Sequence, residues 1–476
     1  MVSYQADVGT LGDERAAPVG TWPVPHEVAE APEGVGWIRV EGFENSFQRM
    51  QISVNVRKNG NAHGSRATLA KWAAVLAGAV VWIVSGALLW RTEVPSLHLA
   101  DVDPREYFGA AELERIEHFR QISRLIFLGS LAIEGVVLGL LVWKATWLAE
   151  SMGGVMRGRL RTGVALGALA AVAVWLALLP FAAVGQWWRR RYGLSHQGYA
   201  GWLRDQAVSL VIMAVLVSIA VALLLALAIW LGRSWWIAGG VALSIAGAGL
   251  LLAYPLVIQP LFNTFRPLPD RELAAKIEAL AKEEGVTVKS VEVADASRQT
   301  TAPNAYVAGI GPTRRVVLFD TLLDGRYSQA EILSVAAHEL GHVGRRHIWK
   351  GLGWFALIVI PCTFLVARAT ERWGGLPDPA AVLPGLALAF ALFVLTLPLS
   401  NAVSRRYEAE ADWIALWTTK DPAAFIGLER AFVRSGLTDP TPPSLYSFWF
   451  ATHPDPMRRV AMALAYESRL PNATGP

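Results

Sequence analysis

Seven long apolar runs dominate the chain between residues 69 and 400, and polar segments separate them, the longest between the fifth and the sixth run. The fourth run, AVSLVIMAVLVSIAVALLLALAIWLG, carries no charged residue. A buried helix of a soluble protein would show a polar face, whereas about 20 apolar residues suffice for a helix to cross the bilayer core. The pattern therefore predicts seven transmembrane helices, at 69–90, 124–147, 163–186, 207–231, 235–258, 351–370 and 381–400.

Two polar segments follow the fifth and the seventh runs. Because two spans separate them, both segments fall on the same side of the membrane and can form one domain. Basic residues in the connecting loops favour the cytoplasmic side for this domain. The predicted organisation is a mostly disordered tail over 1–65, five spans within 66–262, a catalytic domain over 263–350 and 401–476, and two spans within 351–400.

The first polar segment mixes helical and strand patterns. Residues 270–284 predict an amphipathic helix that stops at Gly285. Ser328 and Glu331 form a capping box that begins a second helix. Short strands are predicted at 287–293, 304–309 and 314–320. We therefore expect an α+β domain attached to the membrane helices.

Composition agrees with a membrane protein and narrows the chemistry. Charged residues make up 17% of the chain, against about 25% in soluble proteins. The net charge of +4 is not clustered on one basic face, which excludes nucleic-acid binding as the main function. Cys362 is the only cysteine, so a disulfide framework and a cysteine-rich zinc module are excluded. Any metal must be held by histidine or carboxylate side chains.

The helix that begins at Ser328 carries the motif H-E-x-x-H, formed by His338, Glu339 and His342. Side chains four positions apart share a helix face, so both imidazoles can bind one Zn²⁺ ion per chain. Glu339 then lies beside the ion as the general base that activates water. Two surface histidines on an ordinary helix are the alternative, but the capped helix and its apolar back face favour a zinc site.

A catalytic zinc ion needs a third protein ligand and one open position. Glu408 and Asp412, just beyond the seventh run, share a helix face. Glu408 can bind zinc while Asp412 accepts a hydrogen bond from a ligand histidine. Taken alone, this pair is also compatible with a solvated acidic face, which is the interpretation for Glu410. His347 lies off the ligand face and is assigned at most a supporting role.

Other polar residues are candidates for binding substrate. His453, ahead of a helix predicted at 456–468, can donate a hydrogen bond to an oxyanion, or it can be an ordinary loop histidine. Asn304, Ala305 and Tyr306 open a strand that is either a core strand or an edge to which an extended peptide pairs. Glu134, inside the second run, either lines a polar cavity or pairs with a polar neighbour.

Together these residues resemble the type-1 CAAX prenyl endopeptidase family, which are membrane gluzincins, over about residues 69–470. HtpX-type proteases share the zinc motif but are shorter, with fewer spans. The matching motifs are Pro260-Leu261-Phe262-Asn263 with Pro267-Leu268, Asn304-Ala305-Tyr306, His338-Glu339-x-x-His342 with His347, Ser404-Arg405-Arg406-Tyr407-Glu408-x-x-x-Asp412, and His453-Pro454. The long N-terminal tail departs from the family pattern.

The resemblance implies a mainly α membrane protein with seven spans around a water-filled cavity and an α+β gluzincin domain on the cytosolic side. It implies that Glu408 is the third ligand, that Asp412 supports a ligand and that Arg405 helps to position the site. It also implies that Asn304 lies along bound substrate and that His453 faces the intermediate.

The expected substrate is a peptide or protein, prenylated or membrane-associated, from which three C-terminal residues are removed. Two alternatives stay open. One is a membrane-protein quality-control protease without prenyl specificity, and the other is a transporter or scaffold with a structural zinc site.

Overall fold

Thirteen α-helices and four β-strands form the part of the chain that this computed structural model describes, residues 61–470. The helices are α1 Asn61–Leu89, α2 Ala110–Trp143, α3 Ala145–Met156, α4 Arg159–Arg191, α5 Tyr199–Leu231, α6 Trp235–Ala253, α7 Arg271–Glu283, α8 Gln329–Gly344, α9 His347–Thr370, α10 Val382–Thr419, α11 Pro422–Gly436, α12 Ser444–Phe450 and α13 Pro456–Glu467. The strands are β1 Phe265–Pro267, β2 Ser290–Ala294, β3 Ala305–Ala308 and β4 Arg315–Phe319.

The chain divides into two units, residues 1–69 and residues 70–476. Of the first unit only residues 61–69 are described, and they form the beginning of α1. The predicted disordered tail therefore lies outside the described residues except at 61–65, which are helical.

Each apolar run coincides with helical structure. Five helical stretches are long and apolar enough to cross a membrane: Ala110–Trp143, Arg159–Arg191, Tyr199–Leu261, His347–Trp373 and Pro379–Thr419. The third stretch has 63 residues and contains both α5 and α6, so it has the length for two of the predicted spans. In α1, Val75–Leu89 is a shorter apolar helix. The chain is thus a multi-helix membrane protein, and the number of seven crossings stays a prediction.

The helix that covers the second apolar run ends earlier than predicted. α2 stops at Trp143, and Lys144 separates it from α3, which the apolar pattern did not distinguish. Large apolar side chains on these helices face outwards: Trp143 is 74% exposed and Trp230 is 80% exposed. Apolar side chains are stable at that surface only in contact with lipid hydrocarbon. Glu134 makes no hydrogen bond or ion pair to any described residue, so the pairing alternative finds no partner there.

An apolar cavity of about 550 Å³ lies among α5, α6, α9 and α10. Val221, Trp235, Phe355 and Phe393 contribute to its wall, and Tyr407 lies at its border. The wall of this cavity is mostly apolar, and the water-filled chamber that the resemblance implied stays a prediction.

The three predicted strands coincide with β2, β3 and β4 within a four-stranded sheet of order β1-β2-β4-β3. β2 and β4 are parallel, and the other two pairs are antiparallel. The three-residue β1 escaped prediction because so short a segment shows no alternation. Ile277 of α7, Val316 and Leu318 of β4, and Leu340 of α8 are fully buried between the sheet and the two helices. This core fixes α8 against the sheet and leaves β3 at its edge.

Candidate metal centre

Local sequence features define both ends of α8. At the start, the Ser328 side chain accepts from the Glu331 backbone N–H, and the Glu331 carboxylate accepts from the Ser328 N–H at 2.7 Å, which completes the predicted capping box. At the end, Arg346 adopts a left-handed conformation with φ 57°. That turn changes the direction of the chain, and His347, the first residue of α9, contacts His342 of α8.

α8 and α10 approach closely at Gly341. A Cβ atom at this position would lie 3.1 Å from Ile414 Cγ2 and 3.5 Å from Ala411 Cα. The absence of a side chain therefore lets the two backbones pack together. The contact places the α10 turn that carries Glu408 beside the histidines of α8.

Three side-chain atoms, one each from His338, His342 and Glu408, converge at this contact. His338 Nε2 lies 3.1 Å from His342 Nε2 and 3.2 Å from Glu408 Oε2. His342 Nε2 lies 3.5 Å from the same carboxylate oxygen. Among the described residues this is the one group with the geometry to hold a metal ion.

The cluster fits a zinc ion by distance and by charge. Ligands at 2.0–2.1 Å in tetrahedral positions are about 3.3–3.5 Å apart, which matches the three separations. Glu408 Oε2 is buried and accepts no well-directed hydrogen bond from a described residue. Burial lowers the pKa of His338, but Asp412 and Glu408 outweigh it and raise this pKa to about 10. The pocket thus stabilises positive charge, as a cation site must.

A buried chain of charges supports His338 from behind. His338 Nδ1 lies 2.9 Å from Asp412 Oδ1, and Asp412 Oδ2 accepts from Arg459 Nε at 2.8 Å. Arg459 Nη1 lies 2.6 Å from Glu429 Oε1. Burial raises the pKa of Glu429 to about 7, although Arg459 opposes the shift. The network holds the His338 ring with Nε2 turned towards the cluster.

Sequence reasoning did not identify Arg459 or Glu429 as part of the site. Each occupies the buried face of an amphipathic helix: Glu429 lies one turn from Phe425 and Val433, and Arg459 lies one turn from Ala463. A charge on an otherwise apolar face is costly unless it is paired. A charged residue on an apolar helix face was thus the sequence signal that could have indicated these two residues. The signal does not identify the partner of the charge.

The prediction that Glu410 lies on a solvated face is wrong. Its side chain is 1% exposed, and its Oε2 atom lies 2.8 Å from His347 Nε2. The backbone N–H of Glu93 donates to the other oxygen at 2.7 Å. The segment after α1 covers this face of α10, and helical periodicity alone cannot reveal a covering segment that is more than 300 residues away in the chain.

Glu339 and His453 lie beside the cluster. Glu339 is half-buried, and burial raises the pKa of its carboxyl group, while the nearby imidazoles of His338 and His342 oppose the shift. His453 Nε2 lies 3.2 Å from Glu408 Oε2, and its ring is 58% exposed. The exposed ring therefore borders the open side of the cluster, where a substrate can approach.

Arg405 lies one turn before Glu408 on α10 and organises the loop that carries His453. Its Nη1 donates to the backbone carbonyls of Ser447 at 3.0 Å and Ala451 at 2.6 Å. These carbonyls are at the end of α12, immediately before the His453 loop. The guanidinium thus ties that loop to the helix that carries the third candidate ligand.

Asn304, Ala305 and Tyr306 are not part of the cluster. Ala305 and Tyr306 belong to β3, which contacts α8. Asn304 and Tyr306 contribute to the wall of a cavity of about 630 Å³. The Tyr306 hydroxyl donates to Gln259 Oε1 at 2.8 Å, so the ring is held against the segment after α6. No hydrogen bond or ion pair joins these residues to the cluster within residues 61–470.

Two protein families match the chain in consecutive segments. Residues 89–264 match the CAAX prenyl protease N-terminal family, which is described as five membrane helices. Residues 267–467 match Peptidase family M48. The boundary between the two matches falls at β1, where the membrane helices give way to the sheet.

Individual relatives agree with the family matches. The chain is 30% identical over 299 residues to the uncharacterized metalloprotease YhfN of Bacillus subtilis, covering 60% of this chain and 70% of that protein. It is 34% identical over 223 residues to CAAX prenyl protease 1 homolog of Arabidopsis thaliana, covering 44% of this chain and 51% of that protein.

The fold agrees as well. The crystal structure of S. mikatae Ste24p superposes with a TM-score of 0.66 at 21% identity, covering 81% of this chain and 96% of that one. Sequence families, relatives and fold therefore converge, and the chain belongs to the type-1 CAAX prenyl protease family, a family of membrane metalloproteases.

Proposed function

We propose that the chain is a membrane zinc endopeptidase with one Zn²⁺ ion held by His338, His342 and Glu408. The convergence of these three ligand atoms within 3.5 Å, next to the Glu339 carboxylate, carries the proposal. Among residues 61–470 only three protein groups converge there, which leaves the fourth position of a tetrahedral ion open, as catalysis requires.

Each residue has a distinct role in this proposal. When bound, zinc supplies a Lewis acid that polarises the scissile carbonyl and lowers the pKa of a water molecule. Glu339 takes the proton from that water and later delivers it to the leaving amine. The exposed His453 ring donates a hydrogen bond to the carbonyl oxygen as negative charge develops there. Asp412 keeps the His338 ring in place, and Arg405 keeps His453 within reach.

The substrate lies extended along β3. An edge strand offers backbone groups to which a peptide can pair, and β3 is the edge strand that contacts α8. Asn304, Ala305 and Tyr306 line this path, and the adjoining cavity can accept side chains of the substrate. The proposed substrate class is a membrane-associated peptide or protein whose prenylated C-terminus loses three residues.

The first test compares the wild-type chain with Glu339→Gln. We expect peptide hydrolysis to fall by about 10²–10⁴-fold, because the amide cannot take a proton, while zinc content is unchanged. Purified protein in detergent is incubated with a farnesylated CAAX peptide or its unprenylated twin. Mass spectrometry identifies the products, and metal analysis measures zinc. Glu278→Gln, at an exposed position on α7, is the matched control and should keep full activity.

The outcomes separate the alternatives. Cleavage of both peptides at equal rates would favour a quality-control protease without prenyl specificity. Full activity in Glu339→Gln would rule out its role as base. A chain that binds zinc but cleaves neither peptide nor any unfolded membrane protein would favour the scaffold with a structural zinc site.

A further inference from the structure

The two histidines of the metal centre are supported in different ways. Whereas His338 faces the Asp412 carboxylate, His342 faces another imidazole: its Nδ1 atom lies 2.9 Å from His347 Nδ1. His347 Nε2 in turn lies 2.8 Å from Glu410 Oε2. His347 is 5% exposed and Glu410 is 1% exposed, so water does not compete for these contacts.

The positions of the hydrogens follow from the contacts, given the proposed function, in which His342 Nε2 binds zinc. A neutral His342 then carries its hydrogen on Nδ1 and donates it to His347 Nδ1, which must accept. His347 therefore carries its own hydrogen on Nε2, and donates it to the Glu410 carboxylate. Every ring nitrogen has one defined role, and reversing any one of them would break a buried hydrogen bond.

The far end of this chain of contacts is firmly anchored. Glu410 Oε1 accepts from the backbone N–H of Glu93 at 2.7 Å, and Lys350 Nζ lies 3.6 Å from Oε2. These partners offset the cost of burying the carboxylate. The Tyr407 ring stacks on the His347 ring, with centroids 4.6 Å apart and an interplanar angle of 6°. The imidazole is thus fixed both in its plane and by its hydrogen bonds.

We infer that His347 and Glu410 are positioning residues for the metal centre, which hold His342 in the ring orientation and tautomer that bind zinc. His347 touches neither the metal position nor the substrate path and acts through His342. Removing the outer partner of a ligand histidine typically weakens metal binding by about 10–100-fold. The same loss is expected here, although the partner is an imidazole rather than a carboxylate.

Two substitutions of His347 separate its two contacts. The amide of His347→Asn can occupy the place of Nδ1 and keep the contact with His342. The amide of His347→Gln reaches the place of Nε2 and keeps only the contact with Glu410. Zinc affinity of the full-length chain in detergent is measured by competition with a chelator of known affinity. We expect His347→Gln to bind zinc about 10–100-fold more weakly and His347→Asn to lose clearly less.

A double-mutant cycle tests whether the residues act in series. If Glu410 acts through His347, the double variant Glu410→Gln with His347→Gln binds zinc no more weakly than His347→Gln alone. Additive losses of zinc affinity would show two independent structural effects and would overturn the inference that Glu410 acts through His347. His98→Asn, an exposed histidine in the loop after α1, is the matched control and should bind zinc as the wild type does.

Failure of this inference differs from failure of the proposed function. If His342→Ala still binds zinc as the wild type does, the ligand assignment itself is wrong. If His342→Ala loses zinc while His347→Gln binds it with wild-type affinity, His347 has no positioning role. Should His347→Gln unfold in thermal scans, His347→Asn and Glu410→Gln carry the test, and wild-type affinity in both would overturn the inference.

Discussion

Charged side chains around the metal centre depend on their partners because they are buried. Asp412 and Glu429 are 0% and 2% exposed, and Arg459 lies between them. Removing one member of such a network leaves another charge unpaired in a low-dielectric interior, which is strongly destabilising. The network therefore holds the orientation of His338, and single substitutions within it are expected to destabilise the folded protein.

Glu284, at the end of α7, carries a carboxylate that lacks such a partner. Neither oxygen accepts a well-directed hydrogen bond from a described residue, and burial raises the pKa of Glu284 to about 8, although the nearby Thr418 side chain opposes the shift. The unfolded chain would release this proton near pH 4.3. The protonated Glu284 carboxyl therefore contributes its full stability to the folded protein below about pH 4.3. This contribution is lost as the pH rises through about 8.

Glu284→Gln should remove this dependence. We expect an unfolding temperature about 2 °C or more above the wild type at pH 8 and no difference near pH 4. Thermal unfolding in detergent across this pH range measures the effect, with the exposed neighbour Glu283→Gln as control. A constant offset at every pH would show that the effect of the substitution is unrelated to ionisation.

At the scale of elements, the metal centre is a contact between two helices. α8 supplies two candidate ligands and α10 the third, and their separation is set where Gly341 meets Ile414. Shifts of well under an ångström alter metal geometry, since zinc tolerates little variation in ligand distance. We therefore expect the space at Gly341 to determine metal affinity.

Gly341→Val should weaken zinc binding at least tenfold and abolish hydrolysis, because its side chain would push α10 away from α8. Even the Cβ atom alone would lie 3.1 Å from Ile414. Gly344→Ala is the control, since its Cβ would meet nothing closer than 3.5 Å. Chelator competition measures the affinity. Wild-type affinity in Gly341→Val would mean that the helices adjust without affecting the ligands.

At the scale of the whole molecule, two polar segments separated by two predicted spans meet in one site. α8 of the first segment packs with α11 and α13 of the second. The contact requires both segments to be on the same side of the membrane. The charge pattern of the loops predicts that this side is the cytoplasmic one.

Labelling of single cysteines tests this arrangement. In a Cys362→Ala background, Glu278→Cys and Glu467→Cys should react with a membrane-impermeant maleimide only after the cells are permeabilised. Arg372→Cys, between α9 and α10, should react in intact cells. Opposite behaviour of Glu278→Cys and Glu467→Cys would contradict a shared side, and inversion of all three would contradict only the cytoplasmic orientation.

Periodicity and motifs predicted the apolar helices, three of the strands and the residues that meet at the cluster. These predictions succeed because spans, a capping box and H-E-x-x-H are local patterns. The roles of Glu410, Arg459 and Glu429 were not predictable, because each depends on a partner distant in sequence. The apolar wall of the cavity, too, depends on which helix faces turn inwards, which a uniformly apolar run does not encode.

α10 extends from Val382 to Thr419 and contains Pro398 near the end of the predicted span. Glu408 lies eight residues beyond Ser400, the end of the predicted span, or about 12 Å along the helix axis. Over so short a distance a helix is nearly rigid, so the carboxylate moves with the span. The tilt of a span responds to bilayer thickness. We therefore expect the membrane, acting through α10, to influence the ligand geometry of the candidate metal centre.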